Sequence, residues 1–102
     1  MMHKALSFLF AIMTLTAVTN GVLAADERKG REVYDLHCAT CHGTNGVSPD
    51  PMVPNFADGD ALFLMDSELL QRIGDGSDTM PAFRGLLNAE EMRDVIAYIR
   101  TF

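Results

Sequence analysis

The feature that most constrains this chain of 102 residues is the run Cys-Ala-Thr-Cys-His at positions 38–42. Two cysteines one helical turn apart, followed at once by histidine, form the C-x-x-C-H pattern of c-type haem attachment. Each thiol can add to a vinyl group of the porphyrin, and the adjacent histidine is then held beneath the iron. We therefore predict that Cys38 and Cys41 bind one haem c covalently, and that His42 is an axial ligand of its iron.

Three other interpretations of the two cysteines are less favourable. A disulfide between Cys38 and Cys41 would close a very short loop and would remove little entropy from the unfolded chain. A thioredoxin-like redox pair belongs in a βαβ context, and the sequence has no such pattern. A zinc site could include His37 and His42, but structural zinc sites usually take two ligand pairs from separate segments, and the chain has no second pair.

The first 24 residues have the organisation of an export signal. A short positive region ending at Lys4 precedes an apolar run over residues 5–18, as in a secretory signal peptide. We predict that residues 1–24 are cleaved after Ala24 or one residue later, and that residues 25–102 form one domain in the periplasm. An uncleaved anchor is the alternative, but this run is shorter than the roughly 20 apolar residues of a spanning helix. The mature chain is thus expected to have no transmembrane segment.

The size of the mature chain favours a bound group, and its charge limits the classes of partner that it can bind. Domains of this size bury a thin core and usually need a bound group or a staple, which a large apolar haem would supply. The chain has 8 basic and 14 acidic side chains, and Lys4 is the only charged residue of the leading segment. The acidic excess argues against nucleic acid as a partner. It favours a redox partner with a basic docking patch.

The iron also needs a ligand on its opposite face. No histidine follows His42, and His37 is too close in sequence to reach that face. Met80 lies in a loop rich in turn residues, and Pro81 keeps it out of helical geometry. The chain between His42 and Met80 is long enough to pass around the haem edge, so we predict Met80 as the second axial ligand. The alternatives are Met52, Met65 and an open position, whereas Met92 is expected in the core.

The remaining pattern predicts an all-α fold without strands. A first helix is predicted over residues 27–38 with Asp26 as its N-cap. A last helix begins after Asn88, which forms a capping box with Glu91. The last helix carries an i, i+3, i+4, i+7 apolar stripe, formed by Met92, Val95, Ile96 and Ile99.

The middle of the chain is less regular. Residues 43–59 are rich in Gly, Pro, Asn and Asp and are predicted to form a loop. Two short helices are predicted after it, over residues 60–65 and 67–73. The second of these is expected to have Asp66 as its N-cap and to end at Gly74.

Together these segments resemble the class I c-type cytochromes, in particular the small bacterial type similar to the haem domains of cbb3-oxidase subunits. Gly30 to Tyr34 resembles the Gly-x-x-x-aromatic motif of the family's first helix, where glycine lets the last helix cross. Glycine inside a helix lowers helix stability by roughly 1 kcal/mol relative to alanine. A close helix crossing would explain why glycine occupies position 30. The resemblance implies N- and C-terminal helices that cross, here through residues 95–98, with the helices wrapped around one haem.

The resemblance also suggests roles for further residues. Residues 53–56, Val-Pro-Asn-Phe, resemble the family's proline segment, which implies that the Pro54 carbonyl accepts the imidazole proton of His42. Residues 80–83 resemble the family's ligand loop. Tyr34 and Arg72 are predicted to belong to the haem environment, with Arg72 near a propionate.

The function implied is electron transfer rather than catalysis. With both axial positions filled by protein, the iron can gain or lose one electron but cannot readily bind a substrate. We expect a monomeric carrier between donor and acceptor proteins of a respiratory or dehydrogenase chain. The alternatives are a haem subunit of a larger oxidoreductase, or a gas-binding or peroxidase-like haem protein with an open sixth position.

Overall fold

The computed structural model describes residues 16–17 and 24–102, so the predicted signal peptide falls almost wholly outside the described residues. The described chain is helical, and no strand forms between residues 24 and 102. It contains α1 (Glu27–His37), α2 (Ala39–His42), a 3-10 helix (Phe56–Asp58), α3 (Asp66–Asp75) and α4 (Ala89–Ile99). Within these ranges no helix is both long and apolar enough to cross a bilayer.

The first helix begins where the sequence predicts. The Asp26 carboxylate accepts hydrogen bonds from the backbone N–H groups of Arg28 and Lys29, at 2.9 and 3.3 Å. The bond from Lys29, followed by that from Arg28, holds the pKa of Asp26 below its usual value, although partial desolvation opposes the shift. Helix α1 ends at His37, one residue before the predicted end, and the Cys38 N–H closes its last turn on the Tyr34 carbonyl.

Helices α1 and α4 cross at a glycine, which confirms the predicted packing. A Cβ atom on Gly30 would lie 1.9 Å from the backbone oxygen of Asp94 and 3.0 Å from the Cβ of Tyr98. The closest neighbour is thus one residue earlier than the predicted partner segment 95–98. Only a residue without a side chain permits this approach, so the helical cost of Gly30 is offset by the contact of two helices.

The core lies between these two helices and the segments around the haem motif. The predicted stripe of α4 is buried: Val95 is 2% exposed, Ile96 1%, Ile99 4% and Met92 6%. Helix α4 begins with the predicted capping box, because the Asn88 side chain accepts from the Glu91 N–H at 2.8 Å and the Glu91 carboxylate accepts from the Asn88 N–H at 3.1 Å.

The short helix predicted over residues 60–65 is wrong. The segment forms turns, and Ala61 has a φ of 64°, in the left-handed region that a helix excludes. The Arg100 guanidinium donates to the Leu62 and Leu64 carbonyls at 2.8 Å each. Two backbone carbonyls that would accept hydrogen bonds within a helix therefore accept them from the Arg100 side chain instead. The local sequence does not predict this contact.

Helix α3 starts earlier and ends later than predicted. Met65, rather than Asp66, is its N-cap residue, and the Glu68 carboxylate accepts the Met65 N–H at 2.9 Å. The helix continues through Gly74 to Asp75 and ends at Gly76, whose φ of 68° turns the chain out of the helix. Its end places the following loop against the cavity described below.

Candidate haem site

A cavity of about 400 Å³ opens between the end of α1, the proline segment, α3 and the loop that follows α3. Its wall is mainly apolar and includes Phe56, Leu69, Ile73 and Phe83. Six of the seven predicted site residues line it: Cys38, Cys41, His42, Pro54, Arg72 and Met80. The fold thus brings together residues that are up to 42 positions apart in the chain.

His42 is fixed by its backbone and by its ring. The turn of α2 closes with the His42 N–H donating to the Cys38 carbonyl at 2.9 Å, and the side chain is buried. The Nδ1 atom lies 3.0 Å from the Pro54 carbonyl oxygen. A carbonyl oxygen can only accept, so Nδ1 carries the proton in this bond. The Nε2 atom then keeps its lone pair, which is the form in which imidazole binds a metal.

Phe56 holds the same imidazole from its face. The two rings are stacked, with centroids 4.4 Å apart and an interplanar angle of 14°. Phe56 has no predicted role of its own. Its position two residues after Pro54 was the available signal, because a residue so close to the carbonyl partner of His42 must lie near the ring. The bond to Pro54 and the stack on Phe56 together restrict both the tilt and the rotation of the imidazole.

Both cysteines line the cavity. Both cysteines are free, with Cys38 half-buried and Cys41 exposed. Burial raises the pKa of the Cys38 thiol to about 11, and the neighbouring Cys41 thiol adds to the shift. A redox-active C-x-x-C pair needs a lowered thiol pKa, so this environment does not support the thioredoxin interpretation. Nor do the described residues bring three or more His, Cys, Asp or Glu side chains together as a zinc site requires.

Met80 lies on a loop, residues 76–82, that we call the Met80 loop. The Ser77 N–H donates to the Met80 carbonyl at 2.9 Å, and the half-buried Met80 side chain packs against the core cluster that contains Phe83. Of the other methionines, Met52 also lines the cavity but is 87% exposed. Met92 belongs to the core, as predicted, and Met65 is 67% exposed and is not part of the cavity wall.

The two remaining predicted residues take different positions. Arg72 is exposed and lies on the cavity wall. Tyr34 does not line the cavity, because it is fully buried in the core, where its hydroxyl donates to the Gly43 carbonyl at 2.6 Å. Burial raises the pKa of Tyr34 to about 12, with smaller contributions from Cys38, Tyr98 and Asp35. Tyr34 therefore supports the backbone immediately after His42 and does not contact the cavity itself.

The residues present fit a covalently attached haem. The cavity offers two thiols one helical turn apart, an imidazole whose Nε2 is available to a metal and a thioether, all on a mainly apolar wall. Imidazole and thioether are the ligand pair that holds iron in many electron-transfer haems. A domain of this size buries a thin core, and a haem held on this mainly apolar wall would add to it.

Comparison with known proteins agrees with this geometry. Residues 25–99 match the family model described as cytochrome c oxidase, cbb3-type, subunit III. The chain is 33% identical to cytochrome c6 of Thermosynechococcus vestitus, over 87% of this chain and 81% of the relative. It is 30% identical to cytochrome c6 of Porphyra purpurea, over 96% of this chain and 93% of the relative.

These matches span the haem motif, the proline segment and the Met80 loop together. The C-x-x-C-H motif occurs once in the sequence and uses its only two cysteines, so one haem is attached per chain. The similarity to the cytochromes c6 indicates electron transfer rather than catalysis. The chain belongs to the small class I c-type cytochromes, and it is an electron carrier with one covalently bound haem c.

Proposed function

We propose that His42 and Met80 occupy the two axial positions of the haem iron, and that Cys38 and Cys41 form its thioether bonds. The observation that carries this proposal is the bond from His42 Nδ1 to Pro54, which prepares Nε2 as a ligand on the wall of the cavity that Met80 also lines. When bound, the haem supplies exchange of one electron between ferrous and ferric iron.

The protein keeps this exchange simple by holding its ligands still. His42 is fixed by Pro54 and Phe56, and the two ends of the Met80 loop are held together by backbone hydrogen bonds. Because neither ligand needs to move when the charge on the iron changes, little rearrangement opposes the electron. The apolar wall disfavours extra charge and, like the thioether ligand, raises the reduction potential.

Arg72 is proposed to pair with a haem propionate. Its side chain lies on the cavity wall and is exposed, so it can reach a carboxylate at the edge of a bound haem without burying its own charge. An Arg72→Gln variant should lower the reduction potential, since a positive charge near the haem disfavours the ferric form.

The working context proposed for the carrier is the periplasm, after removal of residues 1–24. The positive start, the apolar run and the residues up to Ala24 support export. There the protein would pass electrons as a monomer between a donor and an acceptor protein. The excess of 14 acidic over 8 basic side chains supports partners whose docking surface is basic.

The ligand proposal is tested on the holoprotein, matured by export together with haem. We expect a low-spin optical spectrum with a thioether-ligand signature, and Met80→Ala should abolish that signature and lower the reduction potential. Met52→Ala is the matched control, because it removes the other methionine of the cavity wall. A Met80→Ala protein with an unchanged spectrum, or an exported chain without haem, would refute the proposed ligand set.

A second candidate function is a haem subunit of a larger oxidoreductase. The observation that favours it is the match of residues 25–99 to a family described as an oxidase subunit. Affinity purification of the chain from its natural host separates the two functions. A stoichiometric complex that survives high salt would favour the subunit, and a single small holoprotein would favour the carrier.

A further inference from the structure

The neck of the Met80 loop is closed from two sides. On the backbone, the Phe83 N–H donates to the Ile73 carbonyl and the Arg84 N–H to the Gly74 carbonyl, at 3.0 Å each. The Phe83 side chain is 5% exposed and anchors the loop to the core cluster with Leu87. The chain thus leaves α3 and returns to the same point, with Met80 on the excursion between.

An ion pair lies across the same neck. The Asp75 carboxylate, at the last residue of α3, accepts from Arg84 Nη2 at 2.8 Å and from Arg84 Nε at 3.2 Å, both at Oδ1. Asp75 is the residue just before the Met80 loop, and Arg84 follows soon after it. The contact therefore joins the two ends of the loop and no other part of the domain.

The absence of a side chain at Gly74 leaves room for the Arg84 guanidinium. A Cβ atom on Gly74 would lie 2.8 Å from Arg84 Nη2 and 3.1 Å from Arg84 Cζ, and these are the nearest atoms to it. The side chain of Arg84 therefore lies over the helix end where a larger residue would displace it. Glycine in a helix interior is otherwise unfavourable, so this contact gives Gly74 a reason that helix propensity does not.

The interior of the loop is held by few bonds. The Ser77 N–H donates to the Met80 carbonyl at 2.9 Å, while the Met80 N–H to Ser77 Oγ distance is a long 3.4 Å. Since loops held by few bonds open locally at low cost, the closure of the neck governs how often such a loop opens. The ion pair itself is largely exposed, with side chains 64% and 53% accessible, and so contributes little to global stability.

We propose that Arg84 is a positioning residue for Met80: its ion pair with Asp75 closes the neck of the Met80 loop and slows the departure of the Met80 thioether from the haem iron. This inference rests on the proposed ligand set. Arg84, Asp75 and Gly74 would then set the rate at which Met80 leaves the iron. A low rate keeps external ligands from the iron and so limits the protein to electron transfer.

The test measures how fast Met80 leaves the iron in the ferric holoprotein. Excess imidazole binds the iron only after Met80 dissociates, so the saturating rate of imidazole binding reports the opening of the loop. Loss of an exposed ion pair should raise this rate by about two- to fivefold in Arg84→Ala. Asp75→Asn should give a similar increase, and the double variant should add nothing further because both changes remove one interaction.

Two other variants separate positioning from stability. Arg31→Ala is the matched control, since it removes an exposed arginine that pairs with Asp35 at 3.7 Å on α1. It should leave the imidazole rate unchanged. Gly74→Ala should raise the rate by displacing the guanidinium, although alanine favours the helix and should not lower the free energy of global unfolding.

The rate of imidazole binding and the free energy of global unfolding together decide whether the proposal holds. Faster imidazole binding in Arg84→Ala and Gly74→Ala, with global unfolding no more affected than in Arg31→Ala, supports the proposal. An unchanged rate in Arg84→Ala, or a rate that rises only in proportion to a loss of global stability, overturns it. Met80→Ala keeps the two proposals apart, because an unchanged spectrum there refutes the ligand set itself, whereas a lost thioether signature leaves Arg84 to be judged on its own rate.

Discussion

The hydroxyl of Tyr34, in the first helix, donates a 2.6 Å hydrogen bond to the backbone carbonyl of Gly43, the residue directly after His42. Tyr34 is fully buried, and its ring packs edge-on against Tyr98 with centroids 5.3 Å apart. The bond joins the crossing of α1 and α4 to the segment that carries His42. The helix crossing and the position of His42 are therefore mechanically linked through one side chain.

Replacing this hydroxyl should weaken the fold and leave the haem spectrum unchanged. Tyr34→Phe leaves the Gly43 carbonyl without its partner, which should cost about 1–3 kcal/mol of the free energy of unfolding. The spectrum should not change, because Tyr34 does not line the cavity. Chemical denaturation of the holoprotein and its optical spectrum measure the two effects. Tyr98→Phe is the control, as no hydrogen bond of its hydroxyl is found in the described chain, and a shifted haem spectrum in Tyr34→Phe would contradict the assignment.

The same tyrosine predicts a pH dependence. Burial raises the pKa of Tyr34 in the folded protein from 10.0 to about 12. Its contribution to stability is therefore complete below pH 10 and is lost as the pH rises towards about 12, because the unfolded state releases the proton first. The wild-type protein should lose stability over this window, and Tyr34→Phe should lose measurably less. Equal alkaline slopes for the two proteins would contradict the raised pKa.

Gly30 should tolerate no side chain. In Gly30→Ala the new Cβ would lie 1.9 Å from the backbone oxygen of Asp94, so the helices must move apart because neither backbone can be rotated away. Overpacking of this kind typically costs about 1–3 kcal/mol, which exceeds the gain in helix propensity. Thermal and chemical unfolding of the holoprotein should both show the loss.

A second glycine provides the comparison for Gly30. At Gly85 a Cβ would meet nothing within 4 Å, although the φ of 94° is unfavourable for alanine. Gly85→Ala therefore reports backbone strain alone, of roughly 1–2 kcal/mol, and should leave the crossing of α1 and α4 intact. If Gly30→Ala were as stable as the wild type, the close approach of the helices would be disproved.

Local signals in the sequence were sufficient for the ends and the centre of the fold. The cap at Asp26, the capping box at Asn88 and the stripe on α4 depend on neighbours within four residues, and each is found in the structure. The cavity followed from chemistry rather than from periodicity, because the spacing of C-x-x-C-H specifies the group that it binds. The crossing at Gly30 required the family resemblance, since a lone glycine does not name its partner.

The parts that could not be predicted depend on contacts between distant residues. Residues 60–65 have a helical composition, but Ala61 adopts a left-handed conformation. The Arg100 side chain, 38 and 36 positions after Leu62 and Leu64, donates to the carbonyls of these two residues. The stack of Phe56 on His42 and the ion pair of Arg84 with Asp75 likewise join residues whose approach is set by loops. Such contacts produce no periodic pattern in the sequence from which they could be predicted.

Arg100 should therefore be essential to the order of this segment. Its guanidinium donates to two backbone carbonyls and to the Asp66 carboxylate at 2.7 Å. Arg100→Ala removes all these bonds and should lower the free energy of unfolding by about 2 kcal/mol. Arg100→Lys should recover only part of it, because an ammonium group cannot reproduce the planar fork. Denaturation of the three holoproteins measures this, and Arg93→Ala, at an exposed position on α4, should change stability by less than about 0.5 kcal/mol.

The acidic surface should govern electron exchange with charged reagents. All 14 acidic side chains lie within residues 25–102, together with seven of the eight basic ones, since Lys4 lies outside that range. A cationic cobalt complex should therefore oxidise the ferrous protein faster at low salt. Anionic ferricyanide should be slowed by the same field. Raising the ionic strength to 0.1 M shortens the screening length to about 10 Å, and should slow the cobalt reaction and speed the ferricyanide reaction, each by up to roughly tenfold. Stopped-flow oxidation across a salt series measures both rates. If neither rate depends on salt, charge does not steer the encounter, and a basic docking patch on the natural partner loses its basis.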